Sequence, residues 1–268
     1  MKTIESVFAD LRGKGQGALI GYIMAGDPRP EYTLKIAEAL VRGGVDILEL
    51  GLPFSDPIAD GPTIQQASVR ALAAGTTPRT VFDLAAQINQ NCDVPLVIMT
   101  YFNPVFRMGV DSFLSAAKSH QVSGVIVPDL PIEEAGEYRR VAAEYGLSTI
   151  FLVAPSTTDA RLRRIVDCSS GFVYLVSHFG VTGARSAVKD STIELVKRVL
   201  PFTRGRIPLA VGFGVSKPEH AQRIVGAGAD AVIVGSAFVD IISNNLSKYD
   251  KMLDETEATA RVIKQALL

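Results

Sequence analysis

Cysteine is nearly missing. The two present in 268 residues, Cys92 and Cys168, lie far apart and match no metal-ligand spacing. That excludes a disulfide scaffold and a cysteine-held zinc, and it fits a reducing cytosol. An excess of charge of either sign is missing too, since 27 basic and 28 acidic side chains give a formal net charge of −1. This removes the electrostatic basis for binding nucleic acid or an anionic membrane and directs attention to a small-molecule ligand. No apolar run is long enough to span a bilayer, and Met1-Lys2-Thr3-Ile4-Glu5-Ser6 places an acid where a signal peptide needs apolar residues. The expectation is a soluble, unprocessed, cytoplasmic chain. Low-complexity tracts, linkers and breaks in composition are also lacking, so residues 1–268 are expected to form one domain.

Apolar residues make up 47% of the chain and charged residues 21%, the balance of a globular protein. Eight short apolar runs recur along it: Leu19 to Ala25, Val45 to Leu52, Leu96 to Tyr101, Gly124 to Val127, Thr149 to Ala154, Phe172 to Ser177, Pro208 to Phe213 and Ala231 to Gly235. Most are apolar at consecutive positions, as in parallel strands covered on both faces. Helical patterns fill the gaps, for example Glu31 to Arg42, Glu134 to Tyr145, Ala160 to Val166, Ile193 to Leu200 and Glu219 to Val225. Strand-then-helix repeated eight times predicts an α/β fold, an eight-stranded parallel (βα)8 TIM barrel. The competing doubly wound open sheet lacks its Gly-x-Gly-x-x-Gly after the first run. Ile4, Val7, Phe8 and Leu11 share one stripe, so an extra N-terminal helix is expected to cap the barrel bottom.

In such a barrel the active site lies at the C-terminal strand ends. The second run carries Glu49 near its end, on the face of Val45 and Ile47. A buried acid there should have a raised pKa and serve as a proton donor, the alternative being an ion pair with a neighbouring strand. The following loop, Gly51 to Pro62, holds three prolines and two more acids, Asp56 and Asp60, either of which could answer Glu49 across the pocket mouth. Asp60 could instead cap the helix that opens at Pro62. Gly212-Phe213-Gly214-Val215-Ser216 and Gly235-Ser236-Ala237 read as backbone phosphate-binding turns, or as tight turns only. The stretch from His178 to Ser186 reads as a lid or as an exposed linker. The third loop, Phe102 to Met108, is too apolar for a solvated turn and with Phe54 suggests a protein-contact patch. His120 and His220 read as surface or capping residues.

The segment Leu48-Glu49-Leu50-Gly51-Leu52-Pro53-Phe54-Ser55-Asp56-Pro57-Ile58-Ala59-Asp60-Gly61-Pro62 resembles the signature of the tryptophan synthase α chain family. The likeness extends through Asn103-Pro104-Val105-Phe106, Val127-Pro128-Asp129-Leu130-Pro131, Gly180-Val181-Thr182-Gly183-Ala184, Gly212-Phe213-Gly214-Val215 and Gly235-Ser236-Ala237. It implies cleavage of indole-3-glycerol phosphate to indole and glyceraldehyde 3-phosphate, with no metal or organic cofactor in this chain. Alternatives within that resemblance are a stand-alone lyase and a catalytically idle regulatory subunit.

By the resemblance, Glu49 shuttles the proton, Asp60 accepts the indole N–H, and Tyr174 assists. Tyr22, Thr100, Thr182 and Phe213 contact substrate, with Tyr22 where a Phe is common. Gly183, Gly214, Gly235 and Ser236 bind phosphate, and His178 could touch substrate. The implied partner is the pyridoxal-phosphate β chain in an α2β2 complex, met by Pro53, Phe54, Asp56, Pro57, Asn103, Pro104 and Phe106.

Overall fold

Seven consecutive buried residues, Ala18–Met24, form the strand β1 around which the sheet is built. The computed structural model describes residues 2–176, 190–212 and 214–268. Among these, the further strands are β2 (Ile47–Gly51), β3 (Leu96–Met99), β4 (Gly124–Ile126), β5 (Ser148–Ile150), β6 (Leu152–Val153), β7 (Val173–Val176), β8 (Leu209–Gly212) and β9 (Ala231–Val234). Every pairing is parallel, in the order β5-β4-β3-β2-β1-β9-β8-β7-β6. The two ends of that order are one extended segment interrupted at Phe151, whose carbonyl still accepts the Tyr174 N–H at 3.1 Å. The chain itself therefore closes the ring, and the fold is the expected TIM barrel. Nine strands are formed in place of eight because the fifth apolar run breaks at that residue.

The helices are α1 (Ile4–Gly13), α2 (Pro30–Arg42), α3 (Pro62–Ala73), α4 (Pro78–Asn91), α5 (Phe102–Met108), α6 (Val110–Ser119), α7 (Gly136–Glu144), α8 (Asp159–Cys168), α9 (Asp190–Thr203), α10 (Pro218–Gly226), α11 (Ser236–Asn244) and α12 (Tyr249–Gln265). Proline opens α2, α3, α4 and α10, where its fixed φ suits the first turn and its missing N–H removes no bond. The second, third and eighth units carry two helices each. In the third unit the apolar segment after β3 is a helix, α5, and not the loop expected from sequence. Asp129, from the loop after β4, accepts the Phe102 N–H at 2.8 Å and fixes the start of α5.

Alternation along the strands separates two apolar regions. Ile20, Ile47, Val97, Ile126, Ile150, Phe172, Ala210 and Ile233 point into the barrel, while Leu19, Leu48, Leu96, Val125, Val173 and Val232 join the larger layer between sheet and helices. Val45 belongs to that outer layer, packed over Gly21, because it precedes β2. It does not share the inner face with Ile47 and Glu49 as its spacing suggested.

Helix α1 plugs the barrel's lower end. Thr3 caps it, accepting the Ser6 N–H while the Ser6 hydroxyl accepts the Thr3 N–H, and its stripe of Ile4, Val7, Phe8 and Leu11 joins the inner cluster. Phe8 meets Phe172 with ring centroids 6.1 Å apart. Deleting a buried aromatic side chain leaves a cavity and removes transfer free energy together. Phe8→Ala is therefore expected to lower the unfolding free energy by about 3–5 kcal/mol in urea titration. A loss below about 1 kcal/mol would show that α1 is not a true stopper.

Candidate active site

Glu49 occupies the inward face of β2, in register with Tyr22 on one side and Val97 on the other. Its side chain is fully buried and neither carboxyl oxygen has a hydrogen-bond partner among the described residues. An ion pair with a neighbouring strand, the bland reading of a buried acid, is thus not what holds it. Ionisation there would strand a charge in a low-dielectric interior. Burial, reinforced by the charge of Asp60, raises the Glu49 pKa to about 8. Asp60 is also raised by burial, to about 6, but a hydrogen bond from the Tyr101 hydroxyl pulls it down. Near neutral pH the two carboxyls are therefore in opposite states, Glu49 protonated and Asp60 ionised.

The loop that carries Asp60 is pinned from α3 and β3. The Ser68 hydroxyl accepts the Phe54 N–H and donates to the Phe54 carbonyl, both at 2.8 Å. The Gln65 amide donates to the Asp60 carbonyl at 2.9 Å. The Tyr101 hydroxyl accepts the Ala59 N–H at 2.9 Å while donating to the Asp60 carboxylate, and its ring lies 5.4 Å from that of Phe54. Arg70 on α3 forms a bidentate pair with buried Asp27, at 2.7 and 2.8 Å, tying this helix to the loop after β1. Asp60 does not cap α3; Gly61 is the N-cap residue and makes no side-chain cap bond.

A small cleft opens at Asp60, lined by Tyr22, Asp60, Ile64, Met99, Gly214 and Ser236, among others. The N-terminus of α11 faces it with Gly235 and Ser236, so the positive helix end meets the same space as Asp60. Gly214 lines it with a φ of 45°, a left-handed conformation that favours glycine. Two phenols fill the upper barrel over missing side chains. A Cβ on Gly51 would come within 2.3 Å of the Tyr22 hydroxyl, and one on Gly212 within 2.5 Å of the Tyr174 ring. Burial and the nearby carboxylates push both phenols above their ordinary range.

The structure thus brings Glu49, Asp60, Tyr174, Tyr22, Gly214, Gly235 and Ser236 to one end of the barrel. Thr100 does not join them. Period-two alternation turns Val97, Met99 and Tyr101 inward and Thr100 away, where its hydroxyl donates to the Tyr101 carbonyl at 3.1 Å. Met99 lines the cleft in its place, and Tyr101, which holds the loop at Ala59 and acts on Asp60, is the residue of this site that the sequence pattern does not single out, although it ends the third apolar run. Thr182, Gly183, Phe213 and the lid with His178 lie outside the described residues. Asp56 is exposed and bonded by the Ser55 hydroxyl, leaving Asp60 as the second acid. His120 does cap, its ring nitrogen 2.7 Å from the Ala116 carbonyl. His220 is buried and accepts the Ser216 N–H at 3.5 Å, so it is not a surface residue.

The surface beside the mouth is apolar. Ile58 and Phe106 are 78% and 70% exposed, and Met108 at the end of α5 is exposed as well. Pro53, Phe54 and Pro104 line an adjoining groove, with Asn103 exposed and Pro57 half-buried. No group of three or more His, Cys, Asp or Glu that could hold a metal occurs among the described residues, and no described helix is long and apolar enough to cross a membrane.

The model of the family described as "Tryptophan synthase alpha chain" matches residues 8–268. A tryptophan synthase alpha chain of Methanosarcina acetivorans is 53% identical over 265 residues, 99% of this chain and 94% of that one. That of Methanothermobacter thermautotrophicus is 47% identical, covering 97% and 96%. Among solved structures, a Mycobacterium tuberculosis tryptophan synthase chain superposes with a TM-score of 0.90 at 38% identity, covering 98% of this chain and 97% of that chain. A chain of the Pyrococcus furiosus tryptophan synthase complex gives 0.85 at 40%, covering 93% and 98%.

The buried acid has a thermodynamic signature. Below pH 4.5, the ordinary Glu value, folded and unfolded chains both hold the Glu49 proton. As pH rises the unfolded chain releases it first, so this contribution to stability declines above about 4.5 and is lost as pH passes about 8. Glu49→Gln is uncharged and of similar shape. It should be more stable than the unaltered protein at pH 8 by on the order of a few kcal/mol, with the gap closing towards pH 5. Parallel stability curves for the two proteins in denaturant titrations would show that Glu49 is solvated.

Proposed function

The chain belongs to the tryptophan synthase α chain family, and from that premise we propose that Glu49 and Asp60 carry the acid-base steps of its reaction. The reaction is the cleavage of indole-3-glycerol phosphate to indole and glyceraldehyde 3-phosphate, and the chain works with a β chain in the synthase complex. The observation that supports the assignment is a fully buried carboxyl without a hydrogen-bond partner, Glu49, close enough to Asp60 to feel its charge, with Asp60 lining a cleft that a helix N-terminus also lines.

Protonated Glu49 delivers its proton to indole C3 while the N1–H moves to the Asp60 carboxylate, giving an indolenine. The bond from C3 to the carbinol carbon then breaks as ionised Glu49 takes the carbinol hydroxyl proton. The bonding pair returns to the ring, and N1 recovers its proton from Asp60. Indole and the aldehyde leave with Glu49 protonated again. Tyr101 holds Asp60 in the ionised state and orients it, since its hydroxyl is anchored on the Ala59 N–H. Tyr174, laid across Gly212, packs beside Glu49 and keeps water from it.

Gly214, Gly235 and Ser236 receive the phosphate, with Gly183 as a further contact and Thr182 closing onto Asp60 from the lid. Ile64, Met99 and Ile233 supply the apolar walls that an indole ring needs. Ile58, Phe106 and the groove at Pro53, Phe54 and Pro104 are the face for the β chain in an α2β2 assembly. Residues 1–268 are one domain, working in the cytoplasm.

Because Asp60 must be ionised and Glu49 protonated, kcat/KM for indole release should rise through pH about 6 and fall above about 8. Glu49→Gln should reduce indole formation by about 10²- to 10⁴-fold across that range. Substantial turnover by this variant, measured with β chain present, would refute the assignment. Phe106→Asp should weaken association with the β chain by about tenfold or more in a titration of subunit binding, while the isolated chain stays folded.

A further inference from the structure

Tyr22 belongs to β1, the strand between β9 and β2, and its ring bridges them. At the root of the side chain, Cβ and Cδ1 lie 3.3 Å from where a Cβ on Gly235 would sit, beside the phosphate seat. At its tip, the hydroxyl reaches over Gly51, two residues beyond Glu49 toward the mouth. The ring thus spans the distance between the phosphate seat and the acid strand. That is the path of the three-carbon chain joining phosphate to indole, and this chain carries two hydroxyls.

The hydroxyl is poorly served by the protein. Among the described residues its one hydrogen-bond acceptor is the Met24 thioether sulfur at 3.9 Å, a weak acceptor, although Tyr22 is only 5% exposed and lines the cleft. Buried phenols normally find an oxygen. Glu49 does not supply one: its register places it opposite the Tyr22 backbone, below the phenol tip, and both its oxygens are unbonded. A phenylalanine would fill the same space without this demand.

We propose that the Tyr22 hydroxyl donates a hydrogen bond to a hydroxyl of the substrate's three-carbon chain, making Tyr22 a specificity-determining residue for the hydroxylated substrate. The inference rests on the site assignment given under Proposed function and adds to it a contact for the segment between the indole and phosphate subsites. Selection of this kind arises because a site built to bond a hydroxyl leaves its own polar group unpaired when that hydroxyl is absent.

The test compares Tyr22→Phe with the unaltered protein, both in complex with β chain, on two ligands. One is indole-3-glycerol phosphate, followed by indole release; the other is the analogue in which both chain hydroxyls are replaced by hydrogen, followed by equilibrium binding. The variant should lose about 3- to 10-fold in kcat/KM on the substrate, the worth of one neutral hydrogen bond, and bind the analogue within about twofold of the unaltered protein. Equal losses on the two ligands, or no loss on either, would overturn the proposal. The phenylalanine side chain is isosteric, so the fold is kept. Unaltered protein and Glu49→Gln are run in the same assay, where a failure of the site assignment shows as undiminished turnover in the Gln variant and is not mistaken for a failure at Tyr22.

Discussion

A closed ring of strands leaves no room for water beside an inward-facing side chain, and this single constraint governs the site. Glu49 stands inside that ring with both oxygens unpaired, so it keeps its proton into the mildly alkaline range. Asp60, on the loop at the mouth, is less buried and receives the Tyr101 hydroxyl, so it gives its proton up two units earlier. The charge of Asp60 in turn raises Glu49 further. Burial and the Tyr101 hydroxyl together set the two carboxyls apart.

The loop from Leu52 to Gly61 serves two masters. Its inner edge holds Asp60 through Tyr101, Gln65 and Ser68, and its outer edge exposes Ile58. Tyr101 belongs to both sets, since its ring packs against Phe54 of the apolar groove while its hydroxyl accepts the Ala59 N–H of this loop. A partner pressing on this face therefore acts on the same short segment that aims the carboxylate.

Much of this was legible in the chain. Runs such as Ala18–Met24, apolar at every position, announce parallel strands, and an acid inside one of them announces a functional carboxyl. What such runs conceal is phase. When both faces of a strand are covered, nothing in the composition says which residues turn inward, and so the pattern points to Thr100 where Met99 faces the cleft and puts Val45 on the wrong side of the sheet. Long-range bonds are equally silent. The donor that tunes Asp60 stands some forty residues further on, at the start of α5, and the acceptor for the first N–H of that helix is Asp129, beyond the next strand. Breakage of the fifth strand at Phe151 has no local cause in the sequence, because Ile150, Phe151 and Leu152 are all good strand formers.

Ring closure also bears on how the protein comes to be made. Strand β1 needs β2 on one side and β9 on the other, and the Gly17 N–H just before it bonds the carbonyl of Leu267 at 2.9 Å. On a ribosome, half of the first strand's edge has no mate until more than two hundred further residues have been translated. The nascent chain must carry that open edge, with its apolar inner face, through most of synthesis. Chaperone engagement of the half-made ring is the expected companion of such a topology.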